Sequence, residues 1–204
     1  MDEAVLINAK NYLAQTAEIM TVAQNNRRFL ESLVAATAAI SAAFKSGGKV
    51  LLAGNGGSAG DAQHIAGEFL SRLNFDRAPL PAIALTTDSS VLTAVGNDYG
   101  YEHVFERQVR GLGNRGDVFI AISTSGRSPN IVKALEAARL QGVVTVGFCG
   151  QDPRLMGSLC DITVCAPSAE TPLIQQVHIV AAHIICGEVE RLIFGGSDSA
   201  ITDQ

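Results

Sequence analysis

Two kinds of hydrophobic spacing alternate along this chain. In the first 46 residues apolar side chains return every three or four positions: Val5, Leu6, Leu13 and Met20, then Phe29, Leu30, Leu33, Val34, Ala38, Ile40 and Phe44. That is the period of an α-helix, and it predicts two helices stopped by Gly47-Gly48. Beyond the glycines come short, continuous apolar runs: Lys49–Ala53, Ala82–Leu85, Val118–Ile122, Val143–Phe148 and Ile162–Cys165. Runs of this length without alternation predict strands covered on both faces. Helical stretches separate them, roughly Ala59–Leu73, Ser89–Val95, Glu102–Gly111 and Pro129–Gln141. A last long helix from about Pro172 to Ile193 is stopped by Gly195-Gly196. Strands alternating with helices predict an α/β sandwich around a parallel sheet. We expect one domain over 1–196 and a polar tail over 197–204.

Composition narrows the class without changing this outline. The chain has 204 residues, enough for one domain with a full core. No apolar run reaches membrane-spanning length without polar interruption. The N-terminus MDEAVLINAK lacks the basic stretch and apolar core of a signal peptide, so a cytoplasmic location is the expectation. Net charge is −5, with no Trp and three Tyr. Neither a basic stripe nor a stacking platform for nucleic acid is visible. Cys149, Cys160, Cys165 and Cys186 form no CxxC pair and sit in or beside apolar segments, as buried free thiols would. The apolar first helix admits two readings: packing within the chain, or packing with the second helix against a partner subunit.

Two polar turns carry the candidate chemistry. Gly54-Asn55-Gly56-Gly57-Ser58 follows the first strand and opens a helix. Glycines there permit a tight turn and close backbone approach, and a helix N-terminus offers unpaired N–H groups to an anion. The turn has neither the Gly-Lys-Ser/Thr ending of a Walker loop nor a GxGxxG spacing. Ser123-Thr124-Ser125-Gly126-Arg127-Ser128 likewise leaves a strand and enters a helix at Pro129. N-capping would use only the Ser128 hydroxyl. The other three hydroxyls are free to join helix amides around a phosphate. In open α/β sheets ligands bind beyond the C-terminal ends of strands, where both turns lie.

Two helices add a second set of polar residues. His64 and Glu68 are four apart and share a face of the helix that starts at the glycine turn. On the last helix Gln175 and His183 differ by about 80° and about 12 Å along the axis. They either flank one point with extended side chains or serve different sites in an oligomer. His178 points elsewhere, roughly 140° from His183. His103 reads as a surface or helix-packing histidine. The donor atoms of His64, Glu68, Gln175 and His183 suit zinc, although Gln is an uncommon zinc ligand. By residue type alone the favoured reading is a set of hydrogen-bonded polar residues on half-exposed helices.

The strings LLAGNGGSAGDAQHIAGEFLSR, ALTTD, VGNDYGYE, STSGRSPNI and IQQVHIVAAHIICGEVE resemble the sugar isomerase (SIS) domain family, over about residues 1–194. The resemblance implies a flavodoxin-like three-layer sandwich with a central five-stranded parallel sheet and two N-terminal helices. It implies a ketose–aldose isomerase that converts D-sedoheptulose 7-phosphate into D-glycero-D-manno-heptose 7-phosphate, supplying heptose for lipopolysaccharide core or capsule. Substrate contacts carry over to Asn55, Gly56, Gly57, Glu68, Asn97, Asp98, Ser123, Thr124, Ser125, Ser128 and Gln175. Without the family, Asn97–Gly100 would read simply as a turn.

A metal-containing branch of the family implies one zinc per subunit on His64, Glu68, Gln175 and His183. Glu68 and His183 are the implied acid/base pair. Ala59-Gly60 stand where some members carry bulkier residues. A homotetramer with active sites at subunit boundaries is implied as well. SIS domains also serve as binding modules, and a chain lacking the acid/base pair would point that way; here both residues are present. Heptose and hexose phosphates differ by one hydroxymethylene and are poorly separated by sequence.

Overall fold

The computed structural model describes residues 3–195, so the expected tail over 197–204 lies outside the described residues. Each of the five apolar runs forms a strand: β1 (Val50–Gly54), β2 (Ala82–Ala84), β3 (Val118–Ile122), β4 (Val144–Cys149) and β5 (Ile162–Cys165). They make one parallel sheet in the order β2-β1-β3-β4-β5. Every residue of β1 and β3 is buried, which is why their sequences do not alternate.

The pleat sends successive side chains to opposite faces. Val50, Leu52, Val118 and Ile120 enter one core, and Leu51, Ala53, Phe119 and Ala121 the other. Helices α2 (Arg27–Lys45), α3 (Gly57–Leu70) and α8 (Thr171–Phe194) cover the first face, joined by the end of α1 (Glu3–Asn25) at Ala23. Helices α4 (Ser89–Tyr99), α5 (Glu106–Leu112), α6 (Pro129–Gln141) and α7 (Met156–Leu159) cover the second. The result is the expected three-layer sandwich.

Helix ends follow local chemistry. A single residue, Asn26, parts α1 from α2, and its side chain caps α2 by accepting from the Phe29 amide at 3.2 Å. Helix α4 runs through Tyr99, so Asn97 and Asp98 belong to its last turn and not to a loop. The stretch expected as one helix from Glu102 is a 3-10 turn, Tyr101–His103, followed by α5. Only Ala23 of α1 is buried, while Val5, Leu6, Ile7 and Leu13 are more than half exposed. No helix among the described residues is long and apolar enough to cross a membrane.

Strand order reverses between β1 and β3: from β1 the chain moves outward to β2, then returns to β3 on the other side. This is the switch point at which loops on the C-terminal edge of an open sheet part and leave a crevice. The glycine turn leaves β1 and the serine-rich turn leaves β3. Register puts Gly54 beside Ile122, so the two turns start as neighbours.

Candidate functional site

The glycine turn enters α3 through Gly56, whose φ of +57° lies in the left-handed region that favours glycine. Gly57 begins the helix, and a Cβ there would collide with the Gln175 amide nitrogen. The missing side chain thus lets Gln175, on α8, lie directly over the loop. Asn55 exchanges two 2.9 Å hydrogen bonds with Asn130 and accepts a third from the Tyr101 hydroxyl at 3.3 Å. Together with Glu102, Ser128 and Pro129, these three residues line a cavity of about 470 Å³.

The serine-rich turn is held by its own hydroxyls. Ser123 is buried, and its Oγ stands 2.9 Å from Ser128 Oγ and 3.5 Å from Ser125 Oγ. Ser128 occupies the N-cap position of α6 yet makes no capping bond with its side chain. Its hydroxyl belongs to the serine cluster, so the capping reading of this residue does not hold. Thr124, Ser125 and Arg127 open on a neighbouring cavity of about 260 Å³, with Gln151, Arg154 and Ser168 on its other walls. Asp152 lines this cavity too and pairs with Arg154 at 2.9 Å, so the hydroxyls and Arg127 are the groups suited to an anion.

Three contacts show how α3 and α8 lie. Gln175 touches Gly57, His183 meets His64, and Glu190 accepts from the Leu73 and Asn74 amides just past α3. The helices therefore run side by side in the same direction. Their alignment joins three of the sequence-predicted residues. His64 Nε2 is 2.9 Å from Glu68 Oε1 and 3.1 Å from His183 Nε2, and donor atoms of all three lie within 4.8 Å of one another.

Two nitrogens bound to one tetrahedral zinc at 2.0–2.1 Å would stand about 3.3–3.4 Å apart. Two neutral imidazole nitrogens facing each other require one to be a donor, whereas an ion takes the lone pair of each. The trio is a possible metal site by distance and by donor chemistry. Gln175 reaches this chain's glycine turn, seven residues before His64, or roughly 10 Å along α3.

The other predicted residues separate into two groups. Asn97 and Asp98 are exposed at the end of α4, and Asn97 Nδ2 donates to Asp98 Oδ1 at 2.8 Å. His178 is buried, donates Nε2–H to the Cys149 carbonyl at 3.0 Å, and is held neutral by burial, which depresses its pKa to about 4. His103 lies between Glu102 and Glu106, and its hydrogen bond is the main cause holding the Glu106 carboxyl below its ordinary value. Next to the trio, burial pushes the Asp61 carboxyl up, with His64 opposing.

Sequence reasoning passed over Asn130, Tyr101 and Arg154, each of which borders one of the two cavities. The SPN and YGYE strings contained the first two, but nothing local distinguishes a ligand-facing Asn or Tyr from a turn residue.

A model of the SIS domain matches residues 11–150. The chain belongs to the SIS domain family. The matched part of this SIS protein ends at Gly150, before α8 and His183, so relatives aligned over the full length carry the comparison further. Phosphoheptose isomerase of Burkholderia pseudomallei is 53% identical over 195 residues, covering 96% of this chain and 99% of that protein. The phosphoheptose isomerase of Aneurinibacillus thermoaerophilus is 53% identical over 188 residues, with 92% and 90% covered. Among solved structures, phosphoheptose isomerase from Neisseria gonorrhoeae superposes with a TM-score of 0.86 at 36% identity, covering 91% of this chain and 98% of that one.

Proposed function

We propose that this SIS protein is a sugar-phosphate isomerase that converts D-sedoheptulose 7-phosphate into D-glycero-D-manno-heptose 7-phosphate. The observation that carries the reading is the meeting of His64, Glu68 and His183 on two helices, one of which starts at the glycine turn. Full-length identity to phosphoheptose isomerases supports the same substrate. Thr124, Ser125 and Ser128 with the α3 and α6 N-termini would hold the phosphate. Asn55, Gly56, Gly57 and Gln175 would contact the sugar, and Asn97 and Asp98, exposed here, would join them.

The reaction moves a hydrogen from C1 to C2. Glu68 would take the C1 proton, leaving an enediol, and a proton returned to C2 makes C1 the aldehyde carbon. Oε1 of Glu68 faces His64, so Oε2 is the oxygen free to accept that proton. When off the metal, His183 would be the partner acid, serving the sugar oxygens whose charge changes, since a ring nitrogen bound to zinc has no proton to give. Gln175, the fourth donor that the family implies, lies against the glycine turn of this chain instead. Zinc would be held by His64, Glu68 and His183. When bound there it would supply Lewis-acid polarisation of the carbonyl.

We further propose a cytoplasmic homotetramer, feeding heptose to lipopolysaccharide core or capsule. The exposed apolar residues of α1 support an assembly: large apolar side chains crowd a helix that buries almost nothing within the chain.

The test is turnover of sedoheptulose 7-phosphate before and after chelation, with zinc assayed on the same sample. Activity should fall with the metal and return with zinc, and Glu68→Gln should lower kcat at least a hundredfold. A folded, zinc-loaded protein without turnover would sink the assignment.

A further inference from the structure

Asn130 follows Pro129 in the first turn of α6 and is 3% exposed. A polar residue at such a place ordinarily caps a helix or faces water. This one does neither. Its Oδ1 accepts from Asn55 Nδ2 and its Nδ2 donates to Asn55 Oδ1, both at 2.9 Å. The two amides form a closed reciprocal pair between the turn after β1 and the turn after β3.

The pair fixes what Asn55 can offer. A carboxamide has an oxygen with two lone pairs and a nitrogen with two hydrogens. Asn130 and the Tyr101 hydroxyl at 3.3 Å fill both lone pairs of Asn55 Oδ1. One hydrogen of Nδ2 goes to Asn130. One N–H remains, on the wall of the cavity that Asn55 shares with Tyr101, Glu102 and Ser128. An amide that could rotate by 180° would present oxygen as readily as nitrogen. Asn130 stops Asn55 from turning alone, since that would set oxygen against oxygen and N–H against N–H; the pair survives only if both amides turn together.

We infer that Asn130 is a positioning residue that holds the Asn55 amide in one plane at the cavity wall, with one polar group left to meet the sugar phosphate. Tyr101 supports that placement from the cavity side. The inference rests on the proposed reading of Asn55 as a sugar-phosphate contact and adds a positioning residue to it. It also explains why Asn130 is buried beside a ligand cavity without touching the backbone.

The experiment is a double-mutant cycle on the whole protein, with Asn55→Ala, Asn130→Leu and the pair combined. Binding of sedoheptulose 7-phosphate is read by calorimetry, and KM and kcat by turnover. Leucine keeps the branched skeleton of asparagine, at a somewhat larger volume, and removes both bonds, while the smaller, polar Asn130→Ser is carried in parallel in case the leucine variant does not fold. Asn130→Leu should weaken binding and raise KM roughly tenfold, the worth of one hydrogen bond to a ligand, with kcat within about threefold. In the Asn55→Ala background the same change should alter binding less than about twofold, because no amide is left to orient.

A merely structural role would lower stability without this dependence on Asn55. Equal effects of Asn130→Leu in both backgrounds, or unaltered binding in a folded variant, would overturn the inference. Wild-type protein that binds the sugar phosphate but does not turn it over would overturn the isomerase reading alone. Protein that does not bind it would overturn both.

Discussion

Gln175 shows what a single contact decides. Its amide lies on Gly57, a position where any side chain would displace it, and roughly 10 Å along α3 from His64. From that position it would meet a ligand at the glycine turn more directly than it would the trio. On the proposed reading, replacement of Gln175 by Ala is expected to raise KM about tenfold while the content of the proposed zinc stays near that of the wild type. Loss of zinc with unchanged KM would place the residue with the metal instead. The same scale explains which site residues could be read from sequence. Gly56, Gly57, Ser123 and Ser128 announce themselves because glycine and clustered hydroxyls are costly or purposeless in an ordinary strand-to-helix turn. Asn130 does not, because its partner Asn55 is 75 residues away in sequence and a lone Asn behind a Pro resembles any helix start.

At the scale of elements, the alignment of α3 with α8 builds the trio, and a buried ion pair holds the alignment at its far end. Arg77 and Glu190 are almost completely buried, 3.0 Å apart. Arg77 also donates to the Glu68 and Phe69 carbonyls, satisfying orphan groups at the C-terminus of α3. Burial alone would push the Glu190 carboxyl up, but bonds from the Leu73 and Asn74 amides and from Arg77 outweigh it and hold the carboxyl below its ordinary value. Its contribution to stability is then present above the usual carboxylate range and lost as pH falls through the lowered folded value.

Removing one partner of a buried pair leaves the other uncompensated. Glu190→Gln should cost about 3 kcal/mol at neutral pH, or roughly 6–12 °C in Tm. Its Tm should also fall less steeply than that of the wild type on acidification. Parallel slopes with no loss at neutral pH would contradict this account. No local pattern foretells the pair, since Arg77 lies in a loop 113 residues before Glu190 in the chain. The strands were legible for the opposite reason: five apolar runs bounded by polar turns leave a parallel sheet as the arrangement that covers both faces. Helix α7, at four residues, is too short to show any period.

The whole molecule is a sandwich with one unfinished side. Helix α1 touches α2 and α8, and the Gln176 side chain donates to the Tyr12 hydroxyl at 3.0 Å, yet Leu6 and Leu13 stay open. Deleting residues 1–22, or replacing both leucines with aspartate, is expected to shift the proposed tetramer to smaller species in sedimentation, with activity lost alongside. A truncated protein that stayed tetrameric and active would assign α1 to the single chain. This placement also has a consequence for synthesis. Helix α1 packs on a helix that is translated well over a hundred residues after it. With Asn25 made and Thr171 not yet translated, α1 waits roughly 7–29 s with its α8 partner missing. Throughout that interval the nascent chain presents α1 as the kind of apolar helix that chaperones retain, so slow translation would expose this protein at α1 more than at α8.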